Sequence, residues 1–258
     1  TVALMCSMLA GCGSDAGDEG KVGEDGEKLK EITLVNTTQD YDGSPFAGVS
    51  WLRLLTRWMT HGTLFGAFPG ATLDELQPRI AKSITMVDEV TAEIELFDYV
   101  TDSAGNKIDA HDVVFSYETA ATSGNFSPKL LGSIASIEAT GDYTLRLTAA
   151  NKSKGTMELI VTNIPITSQE WYEGADESER TMNPAVTGPY KIRSFTSGGT
   201  IVFEKVENFW QTDESMKADI DKQPLDVINA VVITEGSQRV IALENQEVDV
   251  SFVDTSDI

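Results

Sequence analysis

Apolar and polar positions alternate along this chain in two registers. Ile32-Thr33-Leu34-Val35 is a short buried-strand signal, followed from 36 to 50 by a polar loop rich in turn formers. Ser50 is placed to cap a helix on which Trp51, Leu52, Leu54, Leu55 and Trp58 recur at helical spacing; the two tryptophans read as core rather than as a ligand platform. Ile94 and Leu96, with Tyr99, mark a strand, and 102–106 is a turn. Asp109 caps a second helix through Val113, Val114, Phe115 and Tyr117, with Asp112 favourably placed against its positive end. Two hairpins follow, 134–139 with 143–147 and 190–195 with 201–206. The run 227–233 is almost continuously apolar, as in a strand covered on both faces. A helix carrying Val240, Ile241, Leu243 and Glu244 and a strand over 248–253 complete a βαβ unit. The expected class is therefore mixed α/β with a partly parallel sheet.

Charge narrows the field of partners. The 258 residues carry 41 acidic against 19 basic side chains, a formal net charge of −22. A polyanion binder needs clustered Lys and Arg to displace counterions, and no such cluster stands in the sequence, so nucleic acid is excluded. The same balance argues against docking on anionic lipid through a basic face. With 41% hydrophobic and 23% charged residues the chain is apolar enough to fold.

Both cysteines, Cys6 and Cys12, lie at the front, so no disulfide staples the body. The opening TVALMCSMLAGCGS is a short apolar run followed by small residues, like the core and cleavage end of a secretory signal, though without an initiator Met or a basic lead. Leu9-Ala10-Gly11-Cys12 resembles a bacterial lipobox. That resemblance implies cleavage before Cys12, whose sulfur then carries acyl chains worth about 0.8 kcal/mol per buried CH₂. Residues 13–31 are rich in Gly and acid with almost nothing apolar, a spacer composition. The expected organisation is a signal peptide over 1–12, a flexible tether over 13–31 and a folded body over 32–258, held by lipid at the outer face of the cytoplasmic membrane.

Catalytic chemistry is not written in the chain. His61 and His111 stand far apart, and no G-x-S-x-G elbow, H-E-x-x-H or P-loop occurs. The histidines read as a surface or satisfied core pair rather than metal ligands. Asp40-Tyr41-Asp42-Gly43 lacks the later acidic ligand of a calcium loop and reads as a polar turn. No enzyme, cofactor or metal is expected.

Four stretches, in order, resemble the extracellular solute-binding proteins of bacterial ABC transporters, in the class that carries oligopeptides, dipeptides and nickel. Leu76-Gln77-Pro78-Arg79-Ile80-Ala81 with Ser83 is similar to the family's L-x-P-x-L-A-x-S-W segment, with Ile84 for the usual Trp. Residues 105–116, GNKIDAHDVVFS, resemble D-G-x-P-L-T-A-x-D-V-x-F-S. Residues 183–192, NPAVTGPYKI, resemble P-x-G-T-G-P-Y-x-L, and Asn208-Phe209-Trp210 the N-x-x-Y-W that follows. Arg239, Ala242-Leu243 and Glu247-Val248-Asp249-Val250 resemble R-x-x-A-L-x-x-G-E-V-D-I, with Gln246 for Gly. These motifs read as fold markers; in Thr187-Gly188-Pro189-Tyr190, Gly supplies a special backbone angle and Pro fixes the next.

The resemblance implies a periplasmic-binding-protein-like fold of the second type, here lobe one with an inserted β-rich subdomain, the second lobe and the returning segment largely absent. It implies a monomeric receptor that captures short peptides and hands them to permease subunits; a nickel, opine or sugar receptor, a secreted lipoprotein hydrolase and a sensor or adhesin are the alternatives. Such proteins hold ligand backbone by strand-like hydrogen bonds. The loop after the first strand is expected to face the cleft through Asn36, Thr37, Phe46, Gly48, Val49 and Ser50.

Overall fold

A computed structural model describes residues 29–38, 41–48, 51–68, 70–196 and 199–251, with the side chains of 51–55 outside that description. The expected signal peptide, Cys12 and nearly all of the tether lie outside the described residues. Strand β1 (Glu31–Asn36) leads to helix α1 (Trp51–Thr60) and a small ribbon of β2 (Phe65–Gly66) and β3 (Gln77–Pro78). Then come β4 (Ala81–Met86), β5 (Thr91–Leu96), α2 (Ala110–Thr122), α3 (Pro128–Leu131), β6 (Ile134–Gly141) and β7 (Thr144–Ala149). Three short helices, α4 (Thr156–Asn163), α5 (Gln169–Gly174) and α6 (Glu177–Met182), precede β8 (Tyr190–Phe195), β9 (Thr200–Lys205), β10 (Val227–Val232) and α7 (Gly236–Glu244).

Two four-stranded sheets organise these elements, in the orders β1-β10-β9-β8 and β4-β5-β7-β6. The second sheet is inserted between α1 and β8, so the first is built from the two ends of the described chain. β1 runs parallel to β10, from Glu31 opposite Val227 to Asn36 opposite Val232. The remaining pairings in both sheets are antiparallel. Val250 bridges Leu34 in parallel, so the chain leaves β10, passes through α7 and returns on the far side of β1. This is the expected βαβ unit; the rest of the anticipated strand, 252–253, lies outside the described residues.

Period-two alternation decides which faces are buried. In the inserted sheet Ala92, Ile94 and Leu96 alternate with exposed Glu93 and Glu95, and Leu145 and Leu147 with exposed Arg146. The apolar face packs with Val113, Tyr117 and Ile160 into the largest core cluster. On the open face Arg146 reaches both Glu93 and Glu138. In the first sheet Ile192, Ile201, Phe203, Ile228 and Ala230 pack with Met59 of α1, while Val35, Ala242 and Val248 close a smaller cluster beneath α7. Fully burying a side chain such as Phe203 contributes about 1.5–3 kcal/mol.

Three local expectations change. Trp58 is 43% exposed, so the helical stripe on α1 extends past the core and into solvent. Tyr99 is also 43% exposed and follows the end of β5 in a turn. Gly188 does not have a positive φ. A Cβ there would stand 2.6 Å from Met59 O, 2.7 Å from Thr60 C and 2.8 Å from His61 N, so close packing of two backbones selects glycine.

The family-like stretches are tied to one another and to neighbouring segments. Ser103 donates its N–H to Val186 O at 2.8 Å, and Val186 donates back to Ser103 Oγ at 3.0 Å. Trp210 Nε1 donates to Thr187 O at 2.9 Å, and Gly62 N to Thr187 Oγ1 at 2.9 Å. Arg79 grips Asp221 through Nε and Nη2, at 3.0 Å and 2.7 Å for the shorter contacts, with both side chains buried. These contacts agree with the reading of the motifs as fold markers.

Candidate functional site

In sheets with parallel strands, ligands settle beyond the carboxyl ends of those strands. Here that edge is the end of β1 at Asn36 and the end of β10 at Val232, joined where Ile233 N donates to Asn36 O at 2.9 Å. Asn36 is fully buried; its Nδ2 donates to Thr38 O at 2.5 Å, while its Oδ1 has no partner. Thr38 Oγ1 is likewise buried without a partner. Unsatisfied buried polar atoms are costly, so two on one short segment mark the place where a donor from elsewhere would be most stabilising.

The loop then closes on itself. Asp42 Oδ1 accepts from Ser44 N at 2.9 Å, and Ser44 O from Ala47 N at 3.0 Å. Gly43 N donates to Thr181 O at 2.8 Å, tying the loop to α6. Tyr41 stacks on Phe195 with ring centroids 4.4 Å apart. Its hydroxyl is buried without a partner, and burial, with Asp42 alongside, pushes its phenol well above the ordinary range.

The six expected site residues do not share one surface. Thr37 and Gly48 are half-buried in this loop. Phe46 is 3% exposed and meets Tyr172 edge-on at 5.3 Å, which gives its side chain a core position closed to a ligand in this arrangement. Val49 and Ser50 lie outside the described residues. Sequence reasoning missed the facing wall, where Val232, Ile233, Glu235, Gln238, Ile241 and Glu247 line a cavity of about 340 Å³ beside the end of β10. Only the βαβ topology could have signalled it. A larger groove of about 1130 Å³ opens at the amino end of β10, lined by Asp226, Val227, Arg193, Asp102 and Trp171 among others. It lies away from the carboxyl edge and its charges are mixed, so the edge is the better candidate.

Neither histidine forms a nucleophile or metal constellation. His61 is fully buried and bonded through Nδ1 to Thr60 Oγ1 at 2.8 Å, whereas His111 is exposed at the start of α2. Among the described residues no group of three or more His, Cys, Asp or Glu is placed to hold a metal, and no helix is long and apolar enough to cross a membrane. The described edge offers hydrogen-bond acceptors and apolar contact.

Comparison with known proteins places this geometry. Residues 75–258 match the model of the bacterial extracellular solute-binding proteins, family 5 middle region. A protein of Agrobacterium fabrum described as "Probable peptide-binding protein YejA" is 28% identical over 120 residues, 42% of this chain and 19% of that one. The nickel-binding protein NikA of Staphylococcus aureus is 26% identical over 175 residues, 68% of this chain and 33% of its own. The periplasmic binding protein DppA of Helicobacter pylori, solved with the peptide STSA, superposes with a TM-score of 0.70 at 21% identity, covering 89% of this chain and 48% of that one. The matched segments thus span about a fifth to a third of these curated relatives, and just under half of the solved structure. With the mixed α/β architecture shared and the family model running through most of the sequence, the chain belongs to the bacterial extracellular solute-binding proteins, family 5.

Proposed function

We propose that this protein is the extracytoplasmic receptor of an ABC importer that captures short peptides and delivers them to the permease without chemical change. The observation that carries the reading is the carboxyl edge of β1 and β10, where Asn36 Oδ1 and Thr38 Oγ1 are buried without partners and a small cavity of mixed polar and apolar lining opens at the end of β10. A peptide backbone supplies N–H donors for such acceptors, and its side chains need only room. The likeness to a peptide-binding relative supports the same ligand class. Cys12, Asn36, Thr37, Gly48, Val49 and Ser50 stay in the proposal, the first as the lipid anchor and the others as the cleft-facing loop; Phe46 supports that loop from behind.

The test is a titration of the full-length protein with a defined set of tri- to pentapeptides, followed by tryptophan emission, with bound peptide then released and weighed by mass spectrometry. Saturable quenching and recovery of intact peptide are expected. Cleaved peptide from a homogeneous preparation would overturn the receptor reading. A nickel receptor is the second reading, resting on the NikA likeness; nickel chloride titrated in the same format separates the two.

A further inference from the structure

The outer strands of the two four-stranded sheets are β1, β8, β4 and β6. Three of these edges are guarded. β1 is flanked by Val250, which bridges Leu34. β8 exposes Lys191 and Arg193, and β6 shifts register near both its ends. Charge and bulges are the ordinary devices that keep an edge from pairing with another chain. β4 has a single bulge at its start, between Ala81 and Ser83, and neither proline nor charge from Ser83 to Val87.

The ladder shows which groups of β4 face outward. Hydrogen-bonded pairs alternate along antiparallel strands. Leu96 N donates to Tyr143 O at 2.9 Å, so Ile94 and Ala92 also turn their backbone groups toward β7. Glu93 and Glu95 then serve β4, where they face Thr85 and Ser83, and Val87 N continues that ladder by donating to Thr91 O at 2.8 Å. The N–H and C=O of Ile84 and Met86 are left pointing away from the sheet. Among the described residues no bond from another segment reaches them. Their side chains share the face of Ile94 and Ala92, which makes the edge apolar: Ile84 is half-buried, Met86 36% exposed and the following Val87 58% exposed.

A second copy of the chain fits this edge in one register. Turned antiparallel about Thr85, it sets Ile84 against the partner's Met86 and Met86 against the partner's Ile84. Both outward-facing residues then exchange N–H···O bonds across the contact, and their side chains cover one another. The same alignment places Lys82 opposite the partner's Asp88 at each end. A slip of two residues one way sets Lys82 against Met86, and the other way sets Ile84 against Asp88, so charge complementarity singles out the register centred on Thr85. We propose that two copies of this protein associate through β4, paired antiparallel about Thr85, so that their inserted sheets become one continuous sheet. The resemblance implies a single copy; this contact adds a self-association that depends neither on a ligand nor on the receptor reading. A strand of six residues makes a small interface, so the association is weak and rises with concentration.

The experiment is sedimentation equilibrium of the full-length protein up to about 1 mM, a range that reaches weak complexes. A reversible monomer–dimer equilibrium is expected. Met86→Pro removes one outward N–H without taking a bond from the β4–β5 ladder, and is expected to weaken dimerisation by about tenfold or more. Lys82→Glu, which sets like charges opposite each other at both ends, is expected to weaken it by about threefold. A protein that stays monomeric throughout overturns the proposal, whether its edge is bare or covered by another segment of a longer chain; so does a dimer that Met86→Pro leaves intact. The register is read separately, in variants that keep the edge's backbone whole should Met86→Pro fail to fold. Under mild oxidation Thr85→Cys is expected to yield a disulfide joining two copies of the peptide that carries position 85, found by mass spectrometry, because Cα atoms of such a pair stand about 4.5 Å apart. Ser83→Cys meets Val87 instead and is expected to yield none. Equal yields from the two variants overturn the proposal.

Discussion

His61 is neutral by construction. Thr60 Oγ1 donates its one hydrogen to Thr56 O at 2.8 Å, so it accepts from His61 Nδ1 and leaves Nε2 as a bare acceptor without a partner. Burial first, then the guanidiniums of Arg57 and Arg79, push the imidazole from 6.5 down to about 3. Above pH 6.5 neither the folded nor the unfolded chain carries this proton, and stability is unaffected. Between 6.5 and about 3 the unfolded chain takes a proton that the folded one refuses, so stability drains away at up to about 1.4 kcal/mol per pH unit. Urea melts at pH 7, 5.5 and 4 are expected to show a shallower decline for His61→Gln than for the native chain; parallel declines would refute the assignment. Gly188 gives a second prediction. Gly188→Ala is expected to cost about 1–3 kcal/mol in thermal or urea melts, because the added carbon meets the backbone at 59–61 rather than a movable side chain. The sequence announced that a glycine is needed there but not why. A T-G-P-Y string suggests a turn angle, whereas the requirement comes from α1, more than a hundred residues earlier.

At the level of elements, legibility followed periodicity. The strands β5, β6, β7, β8, β9 and β10 and the helices α2 and α7 were visible, because each alternates or repeats long enough to declare a buried face. The short helices α4, α5 and α6 were not; six to eight residues give no readable period, and α5 and α6 lean on their side-chain caps. Ser168 Oγ accepts from Trp171 N at 3.2 Å, and Asp176 Oδ1 from Glu179 N at 2.9 Å. β4 escaped because Ala81 is its only buried residue. The cap on α2 was legible and proves reciprocal: Asp109 Oδ1 accepts from His111 N at 2.7 Å, and Asp112 Oδ2 from Asp109 N at 2.9 Å. Asp109→Ala is therefore expected to cost about 0.5–2 kcal/mol, and Asp109→Asn much less, by chemical denaturation. Asp112 has a second task hidden from the sequence. Its Oδ1 accepts from Gln169 N at 2.7 Å, pinning the start of α5 to α2, and burial raises its pKa despite that bond.

Across the whole molecule, the βαβ ending was legible but did not by itself name the wall from Val232 to Glu247, while the family-like motifs revealed the class. The loop after β1 was chosen by position alone, and Phe46 shows the limit of that: a phenylalanine in a polar loop can anchor that loop to the core as readily as it can meet a ligand, and here it packs against Tyr172. The buried Arg79–Asp221 pair carries the sharpest global prediction. It links the bend between β3 and β4 with the segment before β10, residues 142 apart. Removing one partner strands the other charge, so Asp221→Ala is expected to cost about 3–5 kcal/mol in urea melts, while Arg79→Met with Asp221→Leu recovers most of that loss. One pairing reaches further still. Lys30 N donates to Asp226 Oδ2 across 196 residues, at the point where β1 meets β10. Contacts between such distant segments form late, after a large loss of chain freedom. β1 has β10 on one side and Val250 on the other, so its place in the sheet cannot be filled until the chain has been made through the segment that carries both neighbours.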